Sequence, residues 1–213
     1  MTSSTRDARV RTLWSEISTL PGLSERLGVT EAELLSPDPS ICLVNGDVCY
    51  EILLDNHLYV LVRRERGNRS RIFVTNDARA FAVQLVLRLF SSSQAFSPNR
   101  SPYEEAPMAF EMEERIVPDE YEIDRVVIRW HWGAGQWAEV VGHESLLSGL
   151  EWAWLFSASD ETLSNVVADR EGFPLFRPHP GPQFAVPDGD LRDLTLKQWQ
   201  DWCSTRTKDV TNG

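Results

Sequence analysis

The residues in this chain whose types most readily do chemistry are four histidines, three cysteines and a run of tryptophans. The histidines are His57, His131, His143 and His179. None lies in H-E-x-x-H or in H-x-E with P-C-x-x-C, the spacings that hold zinc for hydrolysis or deamination. His131 and His143 flank one predicted hairpin and could face each other, yet a zinc site there needs further cysteine or carboxylate ligands. Strand-end histidines without a metal are the simpler reading. Cys42, Cys49 and Cys203 are odd in number and have no C-x-x-C spacing, which fits reduced thiols and no disulfide framework. Cys203 falls on the apolar stripe of a predicted helix, where packing is the default role. No G-x-S-x-G, P-loop or G-x-G-x-x-G is present. The expectation is a protein that is not an enzyme and carries no cofactor or metal.

Three further stretches have unusual composition. Trp130-His131-Trp132-Gly133-Ala134-Gly135-Gln136-Trp137 resembles a stacking platform for a flat ligand, and with His131, His143 and nearby acids it defines a ligand-binding or hydrolytic alternative. Strand alternation puts Trp130 and Trp132 on one face, and one face of a two-layer sheet must be buried, which favours core packing. Residues 101–124 hold nine acids and one base, a net charge of −8; among them are Glu104, Glu105, Glu113 and Glu114. Acid-rich loops are usually solvated, and spacing alone does not define a carboxylate pair for acid–base work. Residues 63–71 hold five arginines and one glutamate, a net charge of +4. Blocks of this kind steer oppositely charged partners.

The elements that must position these residues follow from periodicity. Val10, Leu13, Trp14 and Ile17 form one helical stripe, ended by Pro21-Gly22. A short helical piece covers 23–27, and Thr30 with Glu33 reads as a capping box. Ile41–Val44, Tyr50–Leu54, His57–Val62 and Arg71–Thr75 are β-rich. The polar stretch 63–70 makes a hairpin tip with Gly67-Asn68 as its turn. Asn76 or Asp77 caps a helix over 78–90 that is apolar on most faces and so belongs against the sheet. Strands are expected at 110–117 and 125–132, and a second hairpin turns at Gly133-Ala134-Gly135 into 136–141. Helices follow at 146–156 and, capped by Ser159, at 160–170. The stretch 172–176 is an apolar plug, 178–187 a Pro/Gly linker, and 194–203 an amphipathic helix with Trp199, Trp202 and Cys203. The fold class is α+β: an antiparallel sheet of about five to seven strands with helices packed on one face and extra N- and C-terminal helices. The organisation is an N-terminal helical segment (1–40), an α+β core (41–176), and a linker with a C-terminal helix (177–213).

Composition narrows the function class. The chain has 213 residues, 42% of them hydrophobic, and a formal net charge of −11. All basic residues except Lys197 and Lys208 are arginine. That acidity argues against nucleic acid and anionic membranes as partners. Leu23 to Thr30 has the cadence of half a helix-turn-helix, but Glu31-Ala32-Glu33-Leu34-Leu35 is acidic and cut short by proline, unfit to read a major groove. No apolar run approaches a membrane span, and Met1 to Arg11 is followed by no signal-peptide core, so a cytoplasmic location is expected.

From about Leu58 to Phe176 the order of features resembles immunity protein family 61, the bacterial family of the immunity factor for the tuberculosis necrotizing toxin. The matching residues are Leu61-Val62-Arg63-Arg64-Glu65-Arg66-Gly67 ending a strand, Ile72-Phe73-Val74 in the next, and Leu87-Arg88-Leu89-Phe90 ending a helix, with Arg100 in the loop beyond. A helix pair closed by Gly172-Phe173-Pro174-Leu175-Phe176 completes the match. The resemblance implies a non-catalytic protein that binds a cognate NAD-degrading toxin and inserts a protruding loop at its active site. The segment here that suits this role is the tip, Arg64, Arg66, Gly67, Asn68 and Arg69. Glu104, Glu105, Glu113 and Glu114 are expected as a secondary acidic contact with the toxin. Gly67 lacks a Cβ and so allows close approach, and arginines pair bidentately with carboxylates.

Overall fold

The computed structural model describes residues 3–36, 40–41, 48–55, 57–91, 96–98, 111–118, 124–141, 145–169 and 176–178. In chain order the elements are α1 (Ser3–Ser18), α2 (Leu23–Leu27), α3 (Glu31–Leu34), β1 (Ser40–Ile41), β2 (Val48–Asp55), β3 (Leu58–Glu65), β4 (Asn68–Thr75) and α4 (Ala78–Ser91). They continue with β5 (Phe96–Pro98), β6 (Glu111–Pro118), β7 (Asp124–Trp132), β8 (Gln136–Val141), α5 (Ser145–Phe156), α6 (Asp160–Ala168) and β9 (Phe176–Pro178). Seven strands form one antiparallel sheet in the order β1-β2-β3-β4-β8-β7-β6, and β5 pairs with β9 apart from it. This is the expected α+β fold. The predicted helix at 194–203 and the plug at 172–175 lie outside the described residues.

The helices share one side of the sheet because their apolar stripes meet its alternating apolar positions. Val10, Leu13 and Ile17 of α1 are buried with Tyr50, Ile52, Tyr59, Leu61, Phe73, Ile128, Trp130, Ala138 and Val140 of the sheet, so the N-terminal helices belong to the same core as the strands. Helix α4 lies at its centre and is buried on every face from Ala80 to Leu87, as a sequence apolar everywhere but Gln84 requires. Trp152 of α5 stacks on Phe156 with centroids 5.0 Å apart and reaches Phe73 at 5.5 Å. The other side of the sheet carries a smaller apolar cluster of Val60, Val62 and Val74, joined by Leu53, Leu58 and Trp137. Among the described residues no helix contributes to it.

Local chemistry sets the element boundaries. Thr30 and Glu33 close the expected capping box. Asp77 is the N-cap of α4, its Oδ1 accepting from the Ala80 amide at 2.7 Å. Asn76 instead bridges to β8: its Nδ2 donates to the Gly135 carbonyl at 2.9 Å and its Oδ1 accepts from the Trp137 amide at 3.0 Å. That side chain ties the start of α4 to the second hairpin.

Candidate functional site

The first hairpin differs from expectation at its tip, and the difference organises the site. Its turn is Arg66-Gly67, not Gly67-Asn68. Glu65 pairs with Asn68, and both central residues have positive φ, 48° at Arg66 and 84° at Gly67. This is the backbone of a type I′ turn, the form that follows strand twist in two-residue hairpins. Strands β3 and β4 therefore run up to the turn, and the tip is a two-stranded ribbon rather than a polar loop.

A register shift between Leu61 and Val62 sets which way its arginines face. Leu61 pairs with Phe73, but Val62 pairs with Arg71, leaving Ile72 as the extra residue. A one-residue shift moves every following side chain to the other face. As a result Arg69 lies directly across from Arg64, and Arg71 across from Val62, all on the face turned away from the helices. On the neighbouring strand Glu51 is paired with Val62 and occupies that same face. Its carboxylate is shared: Arg69 Nε and Nη2 grip Oε2 at 2.7 and 2.5 Å, and Arg64 Nη1 approaches Oε1 at 3.5 Å. The Glu51 side chain is only 10% exposed, whereas Arg64 and Arg69 are 61% and 56% exposed. Glu51 thus holds two outward guanidiniums side by side from below. Arg63 pairs with Glu65 at 2.5 Å. Arg66 and Arg71, both exposed, make no ion pair among the described residues. With Glu51 included, five arginines and two glutamates leave the ribbon at +3.

On the helix side Arg88 of α4 lies near Tyr50 of β2 and Arg63 of β3. With the Gln84 amide oxygen turned toward it, that oxygen accepts from Arg88 Nε and Nη2, each at 2.8 Å. Burial pulls the Arg88 guanidinium below its ordinary pKa, its interactions with Tyr50 and Glu151 oppose that shift, and Arg63 adds to it.

Of the acidic residues expected as a second contact, only the Glu113 side chain is among those described, and it lies away from the tip. Glu104 and Glu105 lie outside the described residues. Glu113 and Glu114 are consecutive residues of β6. Glu113 is exposed and lies 3.7 Å from His131 Nε2. Its row, Glu113–Arg129–Glu139–Val74, sits three strands from β4 and five residues along from Arg69. That is about 14 Å across the sheet and about 17 Å along it.

The second hairpin is rooted in the core. Trp130 is fully buried and packs edge-on against Trp152 at 6.3 Å, while Trp132 contacts Trp152 and Phe156 at 5.6 and 5.0 Å. A Cβ on Gly149 of α5 would meet Trp130 Nε1 at 2.8 Å, so the indole presses on bare helix backbone. These rings are not an open stacking platform. Trp137 faces the other way and lies under the Arg129 guanidinium at 4.6 Å, and Arg129 Nε donates to Glu139 at 2.6 Å. His143 lies outside the described residues. Among the described residues no group of three or more His, Cys, Asp or Glu side chains is placed to hold a metal, and no helix is long and apolar enough to cross a membrane.

Two residues acquire roles that the sequence pattern concealed. Glu51 is the hub of the ribbon. Arg6, in the polar N-terminus, closes the end of α3 by donating to the carbonyls of Leu35 at 2.8 Å and Ser36 at 2.5 Å. Arg6 is structural, and the exposed Arg11 is the better neutral control for charge removal.

No protein-family model matches the chain, and no curated protein matches it. Among solved structures, a chain described as Rv3902c from M. tuberculosis is a distant likeness. It shares 16% identity, with a TM-score of 0.48 over 68% of this chain and 82% of that one.

Proposed function

We propose that this chain is an immunity protein that binds and inhibits a cognate NAD-degrading toxin through the β3–β4 tip, acting by complex formation and not by catalysis. The observation that carries the reading is the conformation of Arg66. It is the one non-glycine residue with positive φ among the described residues, and it sits at the apex of an exposed turn. The left-handed region costs an ordinary L-residue about 1–2 kcal/mol, and type I′ turns favour asparagine, aspartate or glycine there. An arginine at this position serves the turn poorly and is explained by what its side chain reaches. Its neighbours are committed: Arg63 to Glu65, and Arg64 and Arg69 to Glu51. The turn thus presents one uncommitted guanidinium at the apex of a braced ribbon, a shape suited to an acid-lined cleft. The family resemblance of the sequence supports assigning that cleft to an NAD-degrading toxin. The test is to mix the purified protein with a candidate NAD glycohydrolase toxin, one encoded by a neighbouring gene being the first choice, and follow complex formation and NAD loss. A stable complex with NAD preserved is expected; no complex and undiminished NAD loss overturns the reading.

A further inference from the structure

The two edges of the seven-stranded sheet are unequal. At one, β1 covers part of β2, pairing Ser40 with Glu51 and Ile41 with Tyr50. At the other, β6 pairs with β7 along all eight residues, Glu111 to Pro118, without a register shift, and has no strand on its outer side among the described residues. A strand at an edge leaves every second backbone N–H and C=O unpaired, a template for one more strand. Proteins usually blunt such an edge by making it short, bulging it or placing lysine on it. β6 is long, regular and free of lysine, with proline only at its last residue.

We propose that β6 is a docking edge that adds an extended, basic segment of a partner protein as an eighth strand. Charge selects the occupant. β6 carries Glu111, Glu113 and Glu114 against a single Arg115, and the surrounding stretch 101–124 has a net charge of −8. Glu113 is exposed on this strand, and the sequence around it is acidic, so an incoming basic strand is favoured over an acidic one. A second copy of this chain fits poorly. The sheet-continuing antiparallel register that sets Glu113 against Arg115 also sets Glu114 against Glu114, and both copies carry −11. The geometry is that of β-strand addition, in which main-chain bonds supply affinity and alternate side chains supply selectivity. It is separate from the arginine tip, which is carried by β3 and β4, the latter three strands away from β6.

The test uses the full chain and two eight-residue peptides, one alternating valine with arginine and one alternating valine with glutamate. The basic peptide is expected to bind at least about tenfold tighter. Its binding should slow hydrogen exchange at alternate amides within 111–118 while leaving 63–71 unchanged. Glu111→Lys with Glu113→Lys should reverse the preference. Equal affinity for the two peptides, or protection that appears at the tip instead of β6, overturns the proposal. So does a free protein that elutes as a dimer with its β6 amides already protected, which makes a second copy the occupant.

Discussion

The two hairpins of this sheet share one construction and have opposite fates. Each is a pair of antiparallel strands closed by a tight turn with two positive-φ residues, Arg66 and Gly67 in one, Gly133 and Gly135 in the other. In the β7–β8 hairpin the strand ahead of the turn sends Trp130 and Trp132 into the helices, and Asn76 and Thr75 bond its far strand to the α4 junction. In the β3–β4 hairpin the same stretch carries arginine and glutamate, and its contacts are ion pairs on the surface. Apolar residues near a turn bury it and make it part of the core. Charged residues leave it standing in solvent, where its energy is small and its exposure is available for binding. Stability should therefore concentrate in one hairpin and recognition in the other.

The largest effect expected is on the rooted hairpin. Trp130→Ala empties a fully buried indole site and should cost about 3–5 kcal/mol, read from denaturant unfolding. A loss below about 1 kcal/mol would show that the hairpin is not anchored as described. Gly149→Ala tests the same contact from the helix side. The new Cβ meets the indole at 2.8–3.2 Å, and an overpacked core of this kind loses about 1–3 kcal/mol. Glu51→Ala frees Arg64 and Arg69 but removes no core, so about 1 kcal/mol is expected, at the upper end for exposed pairs, falling with added salt. A salt-independent loss would mean that Glu51 acts through packing rather than charge.

The smallest effect lies on α1, where Glu16 sits among the charges at the starts of α4 and α6. Burial raises the pKa of Glu16 above its ordinary 4.5, Arg79 opposes the shift, and Asp77 and Asp160 add to it. A carboxyl with a raised folded-state pKa contributes stability below its unfolded pKa and loses it as pH rises through the folded value. At neutral pH its charge is a penalty. Glu16→Gln should therefore raise the unfolding midpoint slightly at pH 7, with the gain gone below pH 4.5. A variant less stable than wild type at pH 7 would contradict this sign.

What could be read from sequence was what is encoded locally. The α1 stripe, the Thr30–Glu33 box, the Ser159 cap and the Gly133–Gly135 turn each depend on residues a few positions apart, and each is present. The pairing of residues 96–98 with 176–178 had no local sign. The turn lies one residue before the expected Gly67-Asn68 because the shift beside Ile72 arises from cross-strand pairing, and because arginine is a poor signal for a left-handed turn. Glu51 was invisible for the same reason: it lies 13 and 18 residues from the arginines it holds. The backbone makes a bulky residue at Gly67 a poor probe of the tip. Gly67→Trp has room for a side chain, yet φ of 84° makes any L-residue strained there, so it costs about 1–2 kcal/mol and confuses stability with binding.

Arg66→Asn separates the two. Asparagine before glycine is a favoured type I′ pair, so the variant should be more stable than wild type by about 0.5–1 kcal/mol. The decisive measurement is inhibition of the proposed partner, an NAD-degrading toxin, by wild type, Arg66→Asn and Arg11→Ala, each titrated at equal folded concentration. The account predicts that Arg11→Ala inhibits as wild type does and that Arg66→Asn, though better folded, loses inhibition by at least about tenfold, the scale of an interfacial arginine. Full inhibition by Arg66→Asn would contradict it and move the interface away from the tip.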